Sequence, residues 1–580
     1  MTTSGGRELV RIGCWAGFWG DSRAAAEQVV RGPAIDYLVG DHLAEITMAL
    51  LARARARDPA AGYVADAVEA LTPLLGEIHE RSIRVVTNAG GLDPAGCARA
   101  LRAAAADAGV PLRVACVDGD DVSEHVDGLT ANAYLGATPI ASALERGADV
   151  VVTGRCADSA VVLGPLMHEF GWGADDHDLL AAGSLVGHIV ECGPQALGGL
   201  FTDWADVPGW EDMGYPIAEC RPDGTATITK PPGTGGLVTP ATVSEQILYE
   251  IGDPAAYVLP DVVCDWREVR VEQEGPDRVR VAGALGGPPT PTYKVTATHL
   301  DGFRLTAAAL FAGGDAVGRA RRVGEAILAR AGRLVAAAGH EPFAETSIEV
   351  VGSGDLSGPS AAALPAREAL VKIAARHSDR DALRVLADEI APMGLVAQGM
   401  TGLFAGRPRP TPVVRLDHLL VEKSLVRPRV ELDGEMADVE VVPGTDRPAG
   451  SEPLPEADPP VVEDPVAVPL RRIAWARSGD KGNDANVGVI ARRPEFAAHI
   501  AEQLTAARVA AVFDRWLEGP IRRYALPGLD AVNIVLHDAL GGSGGTSSLR
   551  FDPQGKTYGA ILLDLPIDVP ARWEREGLLA

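Results

Sequence analysis

Lysine is scarce in this chain, aromatic residues are few, and no apolar run is long. Six lysines (Lys230, Lys294, Lys372, Lys423, Lys481 and Lys556) stand against 47 arginines, and aromatic residues fill 5% of the 580 positions. No stretch reaches the ~18 consecutive apolar residues of a membrane span, and Met1–Arg7 has no apolar signal core. Positive charge is in deficit as well: 79 Asp and Glu outweigh 53 Lys and Arg, for a formal net charge of −26. Such a surface repels nucleic-acid phosphates. A cytoplasmic protein without a nucleic-acid or membrane partner is therefore expected. The seven cysteines are odd in number and form no Cys-x-x-Cys pair, so the usual zinc and iron–sulfur spacings are excluded and reduced thiols are expected. Cys14, Cys116 and Cys156 fall at or just after strands and read as small buried hydrophobes.

What is present is ample core and a regular alternation. Apolar residues supply 47% of the chain, and ~150 residues per domain gives about three to four domain-equivalents. The stretch Gly147–Trp172 is the pivot. Val150–Val152 is an unbroken β-branched run that predicts a strand buried on both faces. Thr153-Gly154-Arg155 ends it, and Ala157–Phe170 has the apolar spacing of a helix that Asp158 or Ser159 is placed to cap. A parallel strand ending in a polar turn and a helix is where α/β sheets put ligands. Arg155 is the strong cation there. Its neighbour Asp158 leaves two readings open, a ligand clamp and a structural ion pair.

Four earlier units repeat the pattern. Leu9–Cys14 predicts a strand before the turn Gly13–Gly20 and Asp21. Gly17 and Gly20 could cradle an anion there, although neither Gly-x-Gly-x-x-Gly nor Walker spacing occurs. Ile35–Val39 leads to Asp41, His42 and Glu45 at a helix N-terminus, read either as proton-transfer groups or as acids opposing the macrodipole. Ile83–Thr87 leads to Asn88, Gly90 and Gly91, whose donors can converge on an oxyanion; Asp93-Pro94 starts the next helix. Leu112–Val117 leads to Asp118, Asp120 and Asp121, a divalent-metal cluster or a solvated loop. Asn132–Pro139 also faces the cleft. The alternation predicts an α/β fold, a mainly parallel sheet with helices on both faces, with Asp21, Asp41, Asn88, Asp118 and Arg155 along one edge.

Farther on, His188 and Glu191 share a helical face, the histidine reading as a core residue. Thr225–Lys230 predicts a strand. Lys230 with Thr234, Gly235 and Gly236, ahead of a capping box at Thr242–Glu245, makes an anion site. Residues 266–440 read as an α+β continuation of residues 1–265. Residues 441–465, rich in Pro and acid, read as a solvated linker. Residues 466–580 read as a small α+β domain. Its strands Ile473–Ala476 and Val487–Ala491 join through a loop carrying Lys481. Phe496–Trp516 is helical and Val532–Leu536 is a strand. After the Gly-rich loop Gly541–Thr546, Ser548–Phe551 and Tyr558–Leu563 form a hairpin. Lys481 and Ser543, on two Gly-rich loops, could meet around an anion.

Seven stretches in order, Gly13–Asp21, Asp36–Met48, Val85–Pro94, Asn132–Ile140, Gly147–Trp172, Gly187–Trp204 and Ile228–Ile251, together resemble the AtuA family, named for acyclic terpene utilisation. Arg472–Val489 resembles the ferredoxin-like domain that accompanies AtuA. The resemblance implies a ferredoxin-like fold for residues 466–580. It also implies a place in the catabolism of citronellol- and geraniol-type compounds and related branched acids, with a CoA thioester as ligand. It implies no further cofactor, no metal-ligand set and no catalytic residue. On this reading the chain is an enzyme that acts on an acyl-CoA by hydration–dehydration or C–C lysis. Asp41, His42, Glu45 and Asp158 are its proton-transfer candidates. Asn88, Arg155, Lys230 and the Thr234–Gly236 amides are its ligand contacts. The alternatives are a noncatalytic CoA-ligand-binding or assembly partner of an acyl-CoA carboxylase, and a metal-dependent hydrolase built on Asp118, Asp120 and Asp121. A homo-oligomer is expected.

Overall fold

The computed structural model describes residues 7–357, 366–404, 406–446, 450–542 and 547–579. Strands β1 (Val10–Ala16), β2 (Tyr37–Gly40), β3 (Arg84–Thr87), β4 (Val114–Asp118), β5 (Thr130–Ala133) and β6 (Val150–Thr153) alternate with helices as the periodicity requires. β1, β2, β3, β6 and β4 lie side by side in that order, all parallel. Their β-branched runs are explained by helices on both faces. Val151 packs in the cluster containing helices Thr138–Glu145, Ala160–Phe170 and His177–Val190. Val150 and Val152 pack in the opposite cluster with helices Ala24–Val30 and Pro94–Asp107. The latter helix starts as expected, with Pro94 in its first turn and the Asp93 carboxylate accepting the Gly96 N–H at 2.8 Å.

The sheet as a whole is mixed, which corrects the expectation of a mainly parallel one. Beyond β1 lie four antiparallel strands: β7 (Ile217–Cys220), β8 (Ala226–Thr229), Arg278–Ala282 and Arg270–Gly275. Beyond β4 lie Arg429–Leu432 and Glu435–Asp438, also antiparallel. The physical reason is local. Arg278–Ala282 alternates buried and exposed residues and follows its neighbour through a tight turn, which an antiparallel pair permits and a parallel crossover does not.

Residues 292–422 supply five strands of a second, six-stranded antiparallel sheet built around the 21-residue strand Thr292–Ala312, with helices Ala316–Ala337 and Arg380–Ile390 packed in its core. The same long strand pairs with β5, from Val295 opposite Ala133 to Thr298 opposite Thr130. This pairing fastens the second sheet to the first unit and sets Lys294 beside Tyr134, whose N–H donates to the Lys294 carbonyl at 2.9 Å.

The C-terminal unit is a four-stranded antiparallel sheet, in the order Ala474–Lys481, Asp484–Ala491, Ala531–Leu536, Ile521–Leu526. The helix expected over Phe496–Trp516 is two, Pro494–Gln503 and Ala506–Phe513, because Thr505 caps the second by accepting the Arg508 N–H. The expected strand Tyr558–Leu563 is a helix, Tyr558–Leu562. Ser543 and the rest of its loop to Thr546 lie outside the described residues.

Three neighbouring strands of this sheet dock it on the first unit. A side chain at Gly479 would meet the Tyr249 ring at 2.4 Å, and one at Gly488 would meet Leu248 at 2.5 Å. Asn486 donates to the Leu248 carbonyl (2.6 Å) and accepts from the Glu250 N–H (3.0 Å). Asn533 donates to the carbonyls of Ile251 and Gly252. The segment 441–464 has no helix or strand among its described residues, but it is pinned. Thr445 N–H reaches the Pro289 carbonyl (2.7 Å), Ser451 reaches Asp253 (2.7 Å), and Arg523 holds Glu456 (2.8 Å). Among the described residues, no helix is long and apolar enough to cross a membrane.

Candidate active site

The parallel strands deliver their polar turns to one edge. Asn88, just past β3, donates to the Asp41 carboxylate at 2.5 Å and accepts the His42 N–H at 2.7 Å, so the turns after β2 and β3 are locked together. Just past β6, the Arg155 N–H donates to Asp120 at 2.9 Å; Asp120 also accepts from Asn132 at 2.8 Å. The Arg155 side chain, only 2% exposed, donates to Asp158 at 2.6 Å and lies over the Tyr134 ring with its guanidinium carbon 4.1 Å from the centroid. Asp158 therefore does not cap the helix that follows; Ser159 occupies the N-cap position without a side-chain hydrogen bond. Glu191, the C-cap of helix His177–Val190, reaches the same place because Gly187 lets that helix close on Ser159, where a Cβ would come within 2.6 Å. Oxygens of Asp41, Asp158 and Glu191 lie within 4.8 Å of one another, the one such metal-capable group among the described residues.

A second set of side chains faces this cluster. Glu45 accepts from Tyr134 Oη at 3.0 Å and from Lys294 Nζ at 3.1 Å. Thr296 bridges Tyr134 to His418, with 3.0 Å and 3.1 Å contacts. The C-terminal unit completes the wall. Lys481, at the tip of its first hairpin, lies over the Tyr257 ring, and Lys556 contacts Glu250 and Asp480 at 3.2 Å each and the Tyr249 hydroxyl.

Burial first, then the charges of Asp158 and Glu191, push the Asp41 carboxyl well above its ordinary range; burial and Asp158 do the same to Glu191. Glu45 goes the other way. Burial alone would raise it, but Lys294, Arg155, His418 and Lys481 outweigh that and hold it ionised. Lys481 likewise keeps its proton, held by Tyr257, Glu250, Glu45 and Asp158. Burial lowers His188 and His418 to about 4 each, with Lys481 and Lys294 respectively as the next cause, so both rings are neutral at pH 7. Asp41, Glu45, Asp158, Glu191, Glu250 and Asp480 thus share their surroundings with the cations Arg155, Lys294, Arg477, Lys481 and Lys556.

A family model described as acyclic terpene utilisation family protein AtuA matches residues 10–432, and that of the AtuA ferredoxin-like domain matches residues 468–568. The chain belongs to the AtuA family. Membership ties it to acyclic terpene utilisation. No curated protein and no solved structure matches the chain.

Against this family core, the residues singled out from sequence divide. Asp41, Glu45, Asn88, Arg155, Asp158 and Lys481 converge. His42 sits behind them, 3% exposed, packed on Trp15 with ring centroids 4.8 Å apart, and burial lowers it to about 4. The Gly-rich turns serve the backbone. The Gly17 N–H donates to Asp21 and the Gly91 N–H to the Asn88 carbonyl; Gly90 packs on the Thr153 carbonyl, and Gly20 lies in an exposed turn. The expected anion site at Lys230 does not form. The N–H groups of Thr234, Gly235 and Gly236 donate to the carbonyls of Pro231, Asp212 and Pro208, and the Lys230 ammonium binds the Thr234 carbonyl at 2.7 Å with Asp277 at 3.4 Å. The capping box there begins earlier, at Thr239, which leaves Glu245 buried. The cluster Asp118–Asp121 is likewise dispersed: Asp118 pairs with Arg429, Asp120 holds the Arg155 and Asn132 donors, and Asp121 accepts from Ser123. Burial pushes Cys116 and Cys156 up to about 12 and Cys14 higher still, which makes them poor nucleophiles. Glu191, Tyr134, Lys294, His418, Glu250 and Tyr257 were not assigned site roles from sequence. Lysine scarcity was the available signal, since Lys294, Lys481 and Lys556 are three of only six.

Proposed function

We propose that the chain is an enzyme of branched acyl catabolism that binds a carboxylated or branched acyl-CoA in the cleft between its two units and performs hydration–dehydration or C–C lysis. The observation that carries this reading is the carboxylate cluster Asp41–Asp158–Glu191 set against Arg155 at 2.6 Å. Addition or loss of water, like C–C lysis, needs an acid–base group next to a fixed positive charge that receives the carboxylate or thioester oxygen. Asp158 is the member of the cluster open to the cleft, with 39% of its side chain exposed. Arg155, Lys294 and Lys481 supply the charge. Perturbed carboxyl groups gathered in a cleft are a common mark of such chemistry.

Purified protein incubated with a panel of branched and carboxylated acyl-CoAs tests this. Turnover of one of them, with a rise in Tm on adding it, is the expected result, since a ligand that binds only the folded state must stabilise it. Binding without turnover would leave the noncatalytic CoA-ligand role. Neither binding nor turnover would remove the reading.

A further inference from the structure

We infer that Asp41, Asp158 and Glu191 hold a divalent cation. Three carboxylates in one place do not make a metal site by themselves, and the decisive group is His188. This imidazole is 2% exposed and held by the rings of Trp266 and Tyr257, 5.1 and 5.7 Å away between centroids. Its Nε2 lies 3.2 Å from the Ile247 carbonyl. A carbonyl can only accept, so Nε2 carries the hydrogen and Nδ1 presents a bare lone pair. That lone pair faces Glu191 Oε1 at 3.3 Å and has no hydrogen-bond partner. A bare lone pair turned toward a carboxyl oxygen in a buried place calls for a positive centre, a proton on Glu191 or a cation beside it, and the proposal is that a cation takes this place.

The oxygen separations, within 4.8 Å, approach those of ligands placed across an ion at ~2.1–2.4 Å. A set of three carboxylates suits the hard, oxygen-preferring ions, Mn²⁺ among the first-row metals. Asp158 is the exposed ligand, so the open coordination positions face the cleft. This inference shares the site of the proposed reaction but does not rest on it.

The test uses the full chain, stripped with EDTA and then given Mn²⁺, with bound metal counted by mass spectrometry and Tm measured. We expect one Mn²⁺ per chain and a clear upward shift of Tm. Glu191→Gln and Asp41→Asn should weaken Mn²⁺ binding by about tenfold or more. Asp118→Asn, whose carboxylate pairs with Arg429 outside the cluster, should bind as the wild type does. If stripped wild-type protein takes up no Mn²⁺, Zn²⁺ or Mg²⁺ and its Tm does not move, the inference is overturned, whatever the variants do. Equal loss in Asp118→Asn would overturn it too, by marking uptake as diffuse. Acyl-CoA binding to the stripped protein is scored separately, so a failed metal site and a failed acyl-CoA reading remain distinct.

Discussion

Lys481 and Tyr257 belong to different structural units, yet the Lys481 ammonium lies over the Tyr257 ring, 5.4 Å from its centroid. The second unit therefore supplies a charge, together with the Asp480 carboxyl, to a site whose other acids come from the first. Residue 481 sits next to the hairpin turn, and Gly482 packs beside the His418 ring, where a Cβ would approach to 3.3 Å.

Lys481→Met should leave the fold intact and weaken acyl-CoA binding. Loss of one charged contact is worth about 1.5–3 kcal/mol, which is roughly tenfold or more in affinity. Titration calorimetry alongside a melting curve checks it. Unchanged affinity across the salt range would assign Lys481 a purely interfacial role.

Arg155 is placed to serve both the ligand and the fold, because its guanidinium is buried between Asp158 and Tyr134. Arg155→Ala should cost about 3–5 kcal/mol of stability, as does breaking a buried pair. Arg155→Lys keeps the charge but loses the planar stacking. It should fall between the two in Tm and still bind acyl-CoA about tenfold or more weakly. A lysine variant with wild-type affinity would confine Arg155 to the fold.

Glu245 makes stability depend on pH. Burial pushes its carboxyl up to about 8, with the Thr202 donors pulling only partly back, whereas an unfolded Glu titrates near ~4.3. The native state thus keeps a proton that the unfolded state releases. The resulting stability is fully present below the unfolded value and declines as pH rises toward 8. Glu245→Gln cannot titrate, so its unfolding free energy, compared with wild type by urea melts at pH 5 and pH 8, should fall less over that range. The difference should be on the order of a few kcal/mol. Parallel pH profiles for the two proteins would refute the assignment.

Asn486 joins the units through the Leu248 carbonyl, the Glu250 N–H and Asn533. Asn486→Leu leaves these buried partners unsatisfied, at about 1–3 kcal/mol each. It should loosen the docking more than either core. Limited proteolysis should then cut within residues 441–465 faster than in the wild type and release two folded fragments. Equal cutting rates would mean that the pinned segment, rather than the interface, governs access.

The parallel core was legible because its strands are short β-branched runs ending in polar turns, and Val150–Thr153 with Arg155 could be read from pattern alone. The antiparallel edges were not legible, since alternation in a stretch such as Arg278–Ala282 identifies a half-buried strand without naming its partner. The site divided along the same line. Asp41, Asn88 and Arg155 follow strand ends directly, so local sequence positions them. Glu191, Lys294 and His418 arrive from a helix end and from the long strand pairs, and only tertiary packing brings them near Asp158. The Lys230 loop misled because glycine-rich backbone after a strand looks the same whether its N–H groups are free or, as here, already bonded to carbonyls.

The placement of the lysines has a chemical consequence. Lys230, Lys372 and Lys423 are buried with their ammonium groups on carbonyls or carboxylates, Lys294 and Lys556 are ion-paired, and Lys481 is held protonated by the acids and Tyr257 around it. An amine attacks an activated acyl group only through a free lone pair. The folded chain therefore offers electrophiles such as thioesters few accessible free amines, because Lys372 and Lys423, which burial shifts toward the neutral form, are also the ones burial shields, and most of its positive charge rests on guanidinium groups that do not acylate.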